Sequence, residues 1–506
     1  MLKILSAKQI RELDQFTIEH EPIAPIDLME RACHSFVDWF VLHFRADKKI
    51  GVVCGPGNNG GDGLGIARML KELGYSVKIW LVKGAQKESE SFKTNRKKIE
   101  DKISLYEILK EPDPDLFSDC QILIDALFGS GLSRQPEGIF SKVISCINQT
   151  RAIRIAVDIP SGLFADAHSD GEIVQAHHTL SFQLPKLAFL FPENHPWVGQ
   201  WHSVDIGLSK EFVKSASATN FFVTERTIKK LIKSRSLFSH KGDFGHALLI
   251  AGSLGKMGAC VLAAKAALRS GLGLLTVHTP VCGYSVVQTS VPEAMAEVDA
   301  SQNYFSSPPE NLNYSSIGIG PGLGSHSETV KAFTHVLNRF KKPMVIDADG
   351  LNMLSSHKEF LKLIPEGSIL TPHPKEFERI AGSWSNDFER LQLLRSFSIK
   401  LKSIVILKGA YTSVACPGGN VYFNSTGNPG MAKGGSGDAL TGIITALLAQ
   451  GYSSKEAALL GVYLHGSAGD LAANEFGMDS MTATDLVNQI PYSFKKLRRA
   501  QREWGN

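Results

Sequence analysis

Two series of short apolar runs, each run followed by an amphipathic stretch of helical spacing, constrain this chain more than any other feature. The first series is KKIGVVCG, YSVKIWLV, CQILIDALFG, RAIRIAVDIP and HTLSFQL, separated by stretches such as GLGIARMLKELG and FSKVISCINQT. Strands that are apolar throughout and alternate with helices predict βαβ units, and so a parallel sheet covered on both faces. A second series starts at HALLIAGS and runs through GLGLLTVHTP, YSSIGIGPGLG, KKPMVIDADG, EGSILTPHP and KSIVILKGA to a long helical region from Gly434. Between them, LSKEFVKSASATN near 208–222 offers Ser, Lys and Thr with little periodicity and reads as a boundary. A chain of 506 residues suits two cores, expected at 1–217 and 222–500. Apolar spacing over residues 6–45 predicts two helices before the first strand, with Ser6 and Asp27 as N-caps. SQNYFSSPPENLNYSS at 301–316 reads as a surface loop.

Composition narrows the classes of function. The 54 Lys and Arg against 50 Asp and Glu leave a formal charge of +4, spread along the chain instead of gathered on a basic face, so nucleic acid is not the expected partner. Hydrophobic content of 43% with 21% charged residues is that of a globular protein. Seven cysteines contain no C-x-x-C pair and cannot all pair within one chain, which suits a reducing compartment. The start, MLKILSAKQIRELDQFTIEH, carries charges every few residues, and no stretch approaches the ~20 apolar residues of a membrane span. A cytoplasmic, membrane-free protein is expected.

In the first half, Cys54-Gly-Pro-Gly-Asn-Asn-Gly-Gly-Asp-Gly-Leu-Gly65 follows a strand and opens a helix, where an open α/β sheet receives its ligands. Glycines alone also serve any tight strand-to-helix turn. Asn58, Asn59 and Asp62 add oxygens that can take a cation or a sugar hydroxyl. Asp125 closes one apolar run and Asp158 another, so both point toward the same crevice. Capping of the next helix is an equal reading for Asp125 and Ser161; Pro160 and Gly162 impose a stiff turn after Asp158.

GPGNNGGDG, DALFGSGL and DIPSG, in this order, resemble the N-terminal, YjeF-type epimerase domain of the bifunctional NAD(P)H-hydrate repair enzymes, with a Rossmann-like αβα sandwich. That resemblance implies that the hydrate meets Asn58, Asn59, Gly60, Gly61 and Asp62, the loop Gly129, Ser130, Gly131, Leu132, Ser133, Arg134 and Gln135, and Asp158. It also implies a potassium ion on oxygens of Asn59, Asp125 and Ser161. Asp158 is the expected proton carrier for loss and return of water at C6 of the hydrated ring.

In the second half, Asn428-Pro-Gly-Met-Ala-Lys-Gly-Gly-Ser-Gly-Asp438 precedes the helical run ALTGIITALLAQG. Gly434, Gly435, Ser436 and Gly437 put backbone N–H groups at a helix start, where phosphate oxygens are favoured. Asp438 beside such an anion hole reads as a general base, or else as an acidic residue merely favoured by the helix dipole. G-x-G-D resembles the ribokinase-like folds. The blocks SLGKMGACVLAAKAALRSGLGLLTV, GIGPGLG, VIDADGLNML, LTPHPKEFERI and LKGAYTSVA resemble the ADP- or ATP-dependent NAD(P)H-hydrate dehydratases, and both domains occur in the order of the fused family.

The resemblance implies Ala259, Gly322 or Gly324, His373 and Asp438 at the hydrate. For the adenine nucleotide it implies Lys408, Gly409, Ala410, Tyr411 and Thr412 with the glycines of the loop. Further implications are ADP as cosubstrate accompanied by Mg²⁺, and a homo-oligomer. Asp347 and Asp349 are open between Mg²⁺ or water ligands and helix caps. A rival enzyme is a kinase of a vitamin-precursor alcohol, which would not need the first domain. A rival of another class makes the first half a non-catalytic binding module.

Overall fold

The computed structural model describes residues 1–84, 87–99 and 102–502. The chain divides into two compact units: Lys3–Ala218 with Asn386–Phe388, and Thr219–Ser385 with Glu389–Asn506 and the first two residues. Strands, in chain order, are β1 (Leu2–Ile4), β2 (Lys49–Cys54), β3 (Ser76–Val82), β4 (Ser104–Ile108), β5 (Ile122–Ala126), β6 (Ile153–Val157), β7 (His178–Phe182) and β8 (Gln200–Val204) in the first part.

Seven of them form one sheet in the order β4-β3-β2-β5-β6-β7-β8, and every neighbouring pair is parallel. Residues alternate between two apolar layers. Ile50, Val52 and Cys54 pack with Phe36, Phe40, Leu64 and Leu70; Val53, Trp80 and Leu123 pack on the other face with Phe140, Val143 and Ile147. This is the doubly covered parallel sheet that the apolar runs predict. The edge strands β4 and β8 have no apolar run and are absent from the sequence reading; their residues are largely exposed or half-buried. Between β2 and β5 the strand order reverses, opening a crevice at the carboxyl ends of both.

Ser6 caps the helix Ala7–His20 in a capping box with Gln9. Asp27 does not cap. The cap of Pro25–His43 is Ala24, because Pro25 has no N–H to satisfy and fits the first helical position, leaving Asp27 in the first turn.

In the second unit the strands are β9 (Asn220–Phe222), β10 (His246–Ile250), β11 (Leu274–Thr279), β12 (Met295–Val298), β13 (Ser316–Ile319), β14 (Val345–Ile346), β15 (Ile369–Leu370), β16 (Ile404–Leu407), β17 (Ser413–Ala415) and β18 (Val421–Phe423). Their order is β9-β18-β17-β16-β15-β14-β13-β10-β11-β12. β16 to β12 are parallel, while β17 pairs antiparallel with both β16 and β18. The helix Ser436–Ala449 is buried along nearly its whole length, and an all-apolar helix of this kind belongs inside a core. The helical region foreseen from Gly434 is three helices, Ser436–Ala449, Ser454–Phe476 and Ala483–Arg502.

The segment 301–316 is not only a surface loop, because Phe305 is buried. Ser306 and Ser307 fold back to donate backbone N–H bonds to Asp299. All seven cysteines are free thiols. Among the described residues no helix is long and apolar enough to cross a membrane.

Candidate functional site

At the β2–β5 crevice the first unit holds a cavity of about 770 Å³. Of the residues expected at the hydrate, Asn58, Asn59, Asp62, Gly129, Ser130, Gly131, Leu132, Ser133, Arg134, Gln135 and Asp158 line it. Gly60 and Gly61 do not. The stretch Asn58–Asp62, read from sequence as a loop, is the first turn of the helix Asn58–Glu72 behind the cap Gly57. Gly60 permits that geometry, since a Cβ there would lie 1.7 Å from the Gly55 carbonyl oxygen. Asn58 and Asn59, which line the cavity, stand in the first turn, where backbone N–H groups lack helical partners. Both polar atoms of Gln135 are buried without a partner among the described residues, an arrangement that a polar ligand would satisfy.

Asp158 follows β6 with φ of 68°, a left-handed conformation rare for a residue with a side chain and one that marks functional turns. Its Oδ1 accepts bonds from Lys186 Nζ at 2.5 Å and from the Phe182 N–H at 3.1 Å. Lys186 is 2% exposed and also donates to Ser181 Oγ at 2.9 Å. The sequence reading missed Lys186, although a lone charge inside the apolar run PKLAFLF is one that must be paired. It also missed Asp14, on the helix Ala7–His20, which lines the same cavity. Burial pushes the Asp14 carboxyl up to about 7, helped by the charge of Asp158 and opposed by Lys186. Asp62 is raised well above the carboxylate range, by burial first and then by Asp158 and Asp14.

Asp125 and Ser161 do not line the cavity, and they bond each other. Ser161 Oγ donates to Asp125 Oδ1 at 2.6 Å and the Ser161 N–H donates to Oδ2 at 2.8 Å. Neither caps a helix. Burial pushes Asp125 up to about 6 against those bonds. Asn59 packs against Gly129, and its buried Nδ2 has no partner among the described residues, so its amide can turn to present oxygen.

In the second unit, Gly435 at φ of 90° caps the helix Ser436–Ala449, and Asp438 stands in the first turn. The half-buried His465 ring anchors this loop, with Nε2 2.8 Å from the Ser436 carbonyl oxygen. Burial pushes Asp438 up to about 6; Asp347 and Asp349 add to the shift and Lys408 opposes it. Asp347 follows β14 and is buried. It accepts from Lys408 Nζ at 2.9 Å and Thr441 Oγ1 at 2.7 Å.

Asp349 accepts the Gly324 N–H at 2.7 Å and Asn352 Nδ2 at 3.1 Å. Although Asp347 sits at the cap position of Ala348–Ser356, its side chain caps nothing; both carboxylates tie loops together. Ala259 and Gly322 are neighbours, since a Cβ on Gly322 would lie 3.3 Å from that of Ala259. His373 caps Pro374–Ala381 through Nδ1, and the His373 N–H donates to the Glu376 carboxylate at 2.8 Å. Gly409–Thr412 is the turn between β16 and β17, closed by Thr412 Oγ1 donating to the Gly409 carbonyl at 2.8 Å.

Residues 25–188 match the family described as YjeF-related protein N-terminus, and 247–492 match NAD(P)H-hydrate dehydratase. The chain is 36% identical to the bifunctional NAD(P)H-hydrate repair enzyme Nnr of Moorella thermoacetica, over 98% of this chain and 97% of that one. A ribokinase-like superfamily protein from Enterococcus faecalis is 29% identical with a TM-score of 0.50, covering 56% of this chain and 98% of its own. An ADP/ATP-dependent NAD(P)H-hydrate dehydratase from Bacillus subtilis, co-crystallized with ATP/Mg²⁺, is 33% identical with a TM-score of 0.48, covering 55% of this chain and 98% of its own.

With sites at the ends of parallel strands in two sheets, this is a two-domain α/β enzyme whose C-terminal domain is ribokinase-like. The chain belongs to the family of bifunctional NAD(P)H-hydrate repair enzymes.

Removing one member of a buried ion pair leaves the other charge out of water and costs about 3–5 kcal/mol. Lys186→Met should therefore lower the thermal midpoint of the first unit clearly; a midpoint equal to that of wild type would contradict the pairing with Asp158.

Proposed function

We propose that residues 1–217 epimerise the R and S hydrates of NADH and NADPH, and that residues 222–500 dehydrate the S form with ADP, giving NAD(P)H, AMP and phosphate. The observation that carries the second half is Asp438, a raised and half-buried carboxylate in the first turn behind Gly434, Gly435, Ser436 and Gly437, with Lys408 nearby. Asp438 takes the proton of the C6 hydroxyl, whose oxygen then attacks the terminal phosphoryl group of ADP. The loop N–H groups and Lys408 stabilise the charge in transfer, a task of positioning and electrostatics. Phosphate then leaves C6 and the ring regains its double bond. Ala259, Gly322, Gly324 and His373 bound the hydrate in this reading, and Lys408 to Thr412 bound the nucleotide.

Mg²⁺ enters with the nucleotide. Asp347 and Asp349 do not fit as its direct ligands, because their oxygens already accept from Lys408 and Thr441, and from Gly324 and Asn352. Phosphates and water suffice for this cation.

In the first half, Asp158 exchanges a proton with the leaving and returning water, and Asn58, Asn59 and Asp62 with Gly129 to Gln135 hold the hydrate. Asn59, Asp125 and Ser161 fit a potassium ion. The oxygens of Asp125 and Ser161 meet under burial that opposes the Asp125 charge, and a cation would offset that charge. A cytoplasmic location and assembly of identical subunits complete the reading.

General-base removal typically costs about 10²–10⁴-fold. Asp438→Asn should lower NADH recovery from the S hydrate with ADP by that order, with little change in the KM for ADP, and the wild-type rate should fall as pH drops through about 6, where Asp438 gains its proton. Recovery by this variant at the wild-type rate would overturn the assignment. Potassium should raise the thermal midpoint of the first unit by mass action, and Asp125→Asn should abolish that rise. An identical rise in the variant would remove Asp125 from the cation site.

A further inference from the structure

We propose that Asp14 is a second acid–base group of the N-terminal cavity, serving the face of the hydrated ring that Asp158 does not serve. This rests on the epimerase reading of that cavity.

An epimerase must let water leave from one face of a carbon and return to the other. A side chain can donate or accept a proton only within hydrogen-bond reach, so one fixed carboxylate covers one face. Asp158 is fixed: its backbone is held in a left-handed turn, and its Oδ1 takes bonds from Lys186 and Phe182. Asp14 reaches the same cavity from a different element, the helix Ala7–His20, which lies before the 25–188 stretch of the family match. Its carboxylate takes no hydrogen bond and no ion pair among the described residues, so it is uncommitted where Asp158 is committed.

Asp14 also suits the complementary role. With its carboxyl pushed up to about 7 by burial and by Asp158, it carries a proton through much of the neutral range. The charged groups that share its surroundings are Arg11, Asp62, Arg134, Glu137 and Asp158 along the cavity, with Lys186 behind Asp158.

The step balances with water alone. Protonated Asp14 gives its proton to the C6 hydroxyl, the C6–O bond breaks, and water departs as the ring nitrogen lone pair forms the C6–N1 double bond. Water then adds to the opposite face; a new C6–O bond forms, and its extra proton passes to Asp158. The reverse reaction exchanges the two roles. Solvent resets both carboxyls.

The test uses the full chain with a mixture of R and S hydrates and excess ADP. NADH recovery should show a fast phase from the S form and a slow phase limited by epimerisation. For Asp14→Asn the slow phase should fall at least tenfold with the fast phase unchanged, and Asp14→Glu should recover part of the loss. The wild-type slow phase should decline as pH rises through about 7, where Asp14 loses its proton, and what remains in Asp14→Asn should not. A residual phase that keeps the wild-type pH profile would mean a merely structural role and would overturn the proposal.

Asp158→Asn is run beside it. Loss in Asp158→Asn with a wild-type slow phase in Asp14→Asn would sink the proposal and leave the epimerase reading standing. A wild-type slow phase in both variants would sink the reading itself.

Discussion

A buried carboxylate at the end of a parallel strand, paired with one lysine from another strand end of the same sheet, is the interaction on which both halves of this enzyme depend. In the first unit it is Asp158 after β6 with Lys186 after β7. The second unit repeats it with Asp347 after β14 and Lys408 after β16. Neither charge could stay in these interiors alone, and each pair pins two loops that leave adjacent or nearby strands. The pinned loops then define where a ligand can sit.

Beside each pair stands a second carboxylate that has no such partner and answers to burial instead. Asp14 is raised to about 7 and Asp438 to about 6. Groups near those values change protonation in the neutral range, which is what proton transfer at a hydroxyl requires. The two sites thus share one electrostatic plan, a carboxylate fixed by a lysine beside a second carboxylate that burial raises. The difference lies in the loops. A strand-to-helix turn rich in Asn and Gly opens the first cavity, whereas a glycine cap on a buried helix opens the second.

Much of the fold was legible because its central strands are apolar on both faces. The strands that escaped notice, β1, which precedes both N-terminal helices, and β4, β8, β9, β12, β17 and β18, are short or lie toward the sheet edges, where one face can be polar or the hydrogen-bonding is antiparallel. For the sites, Asp125, Asp158 and Asp438 could be found because each ends an apolar run or follows a cluster of glycines. Their partners could not. Lys186, Thr441 and His465 become neighbours of site residues only once distant segments are brought together, and Asp14 belongs to a helix whose local pattern reports only its apolar face. Gly60 was read as a ligand contact. The backbone of Gly55 lies against it, and its lack of a side chain is what lets the helix close on the strand end.

On the proposed mechanism, one chain carries both hydrates through to the reduced cofactor. The direct measurement is to give the chain purified R-NADH hydrate with ADP and to follow NADH absorbance together with AMP and phosphate. Complete conversion, with one AMP and one phosphate per NADH, is the expected result. An R hydrate left unconsumed, or a phosphorylated product that accumulates without NADH, would contradict it.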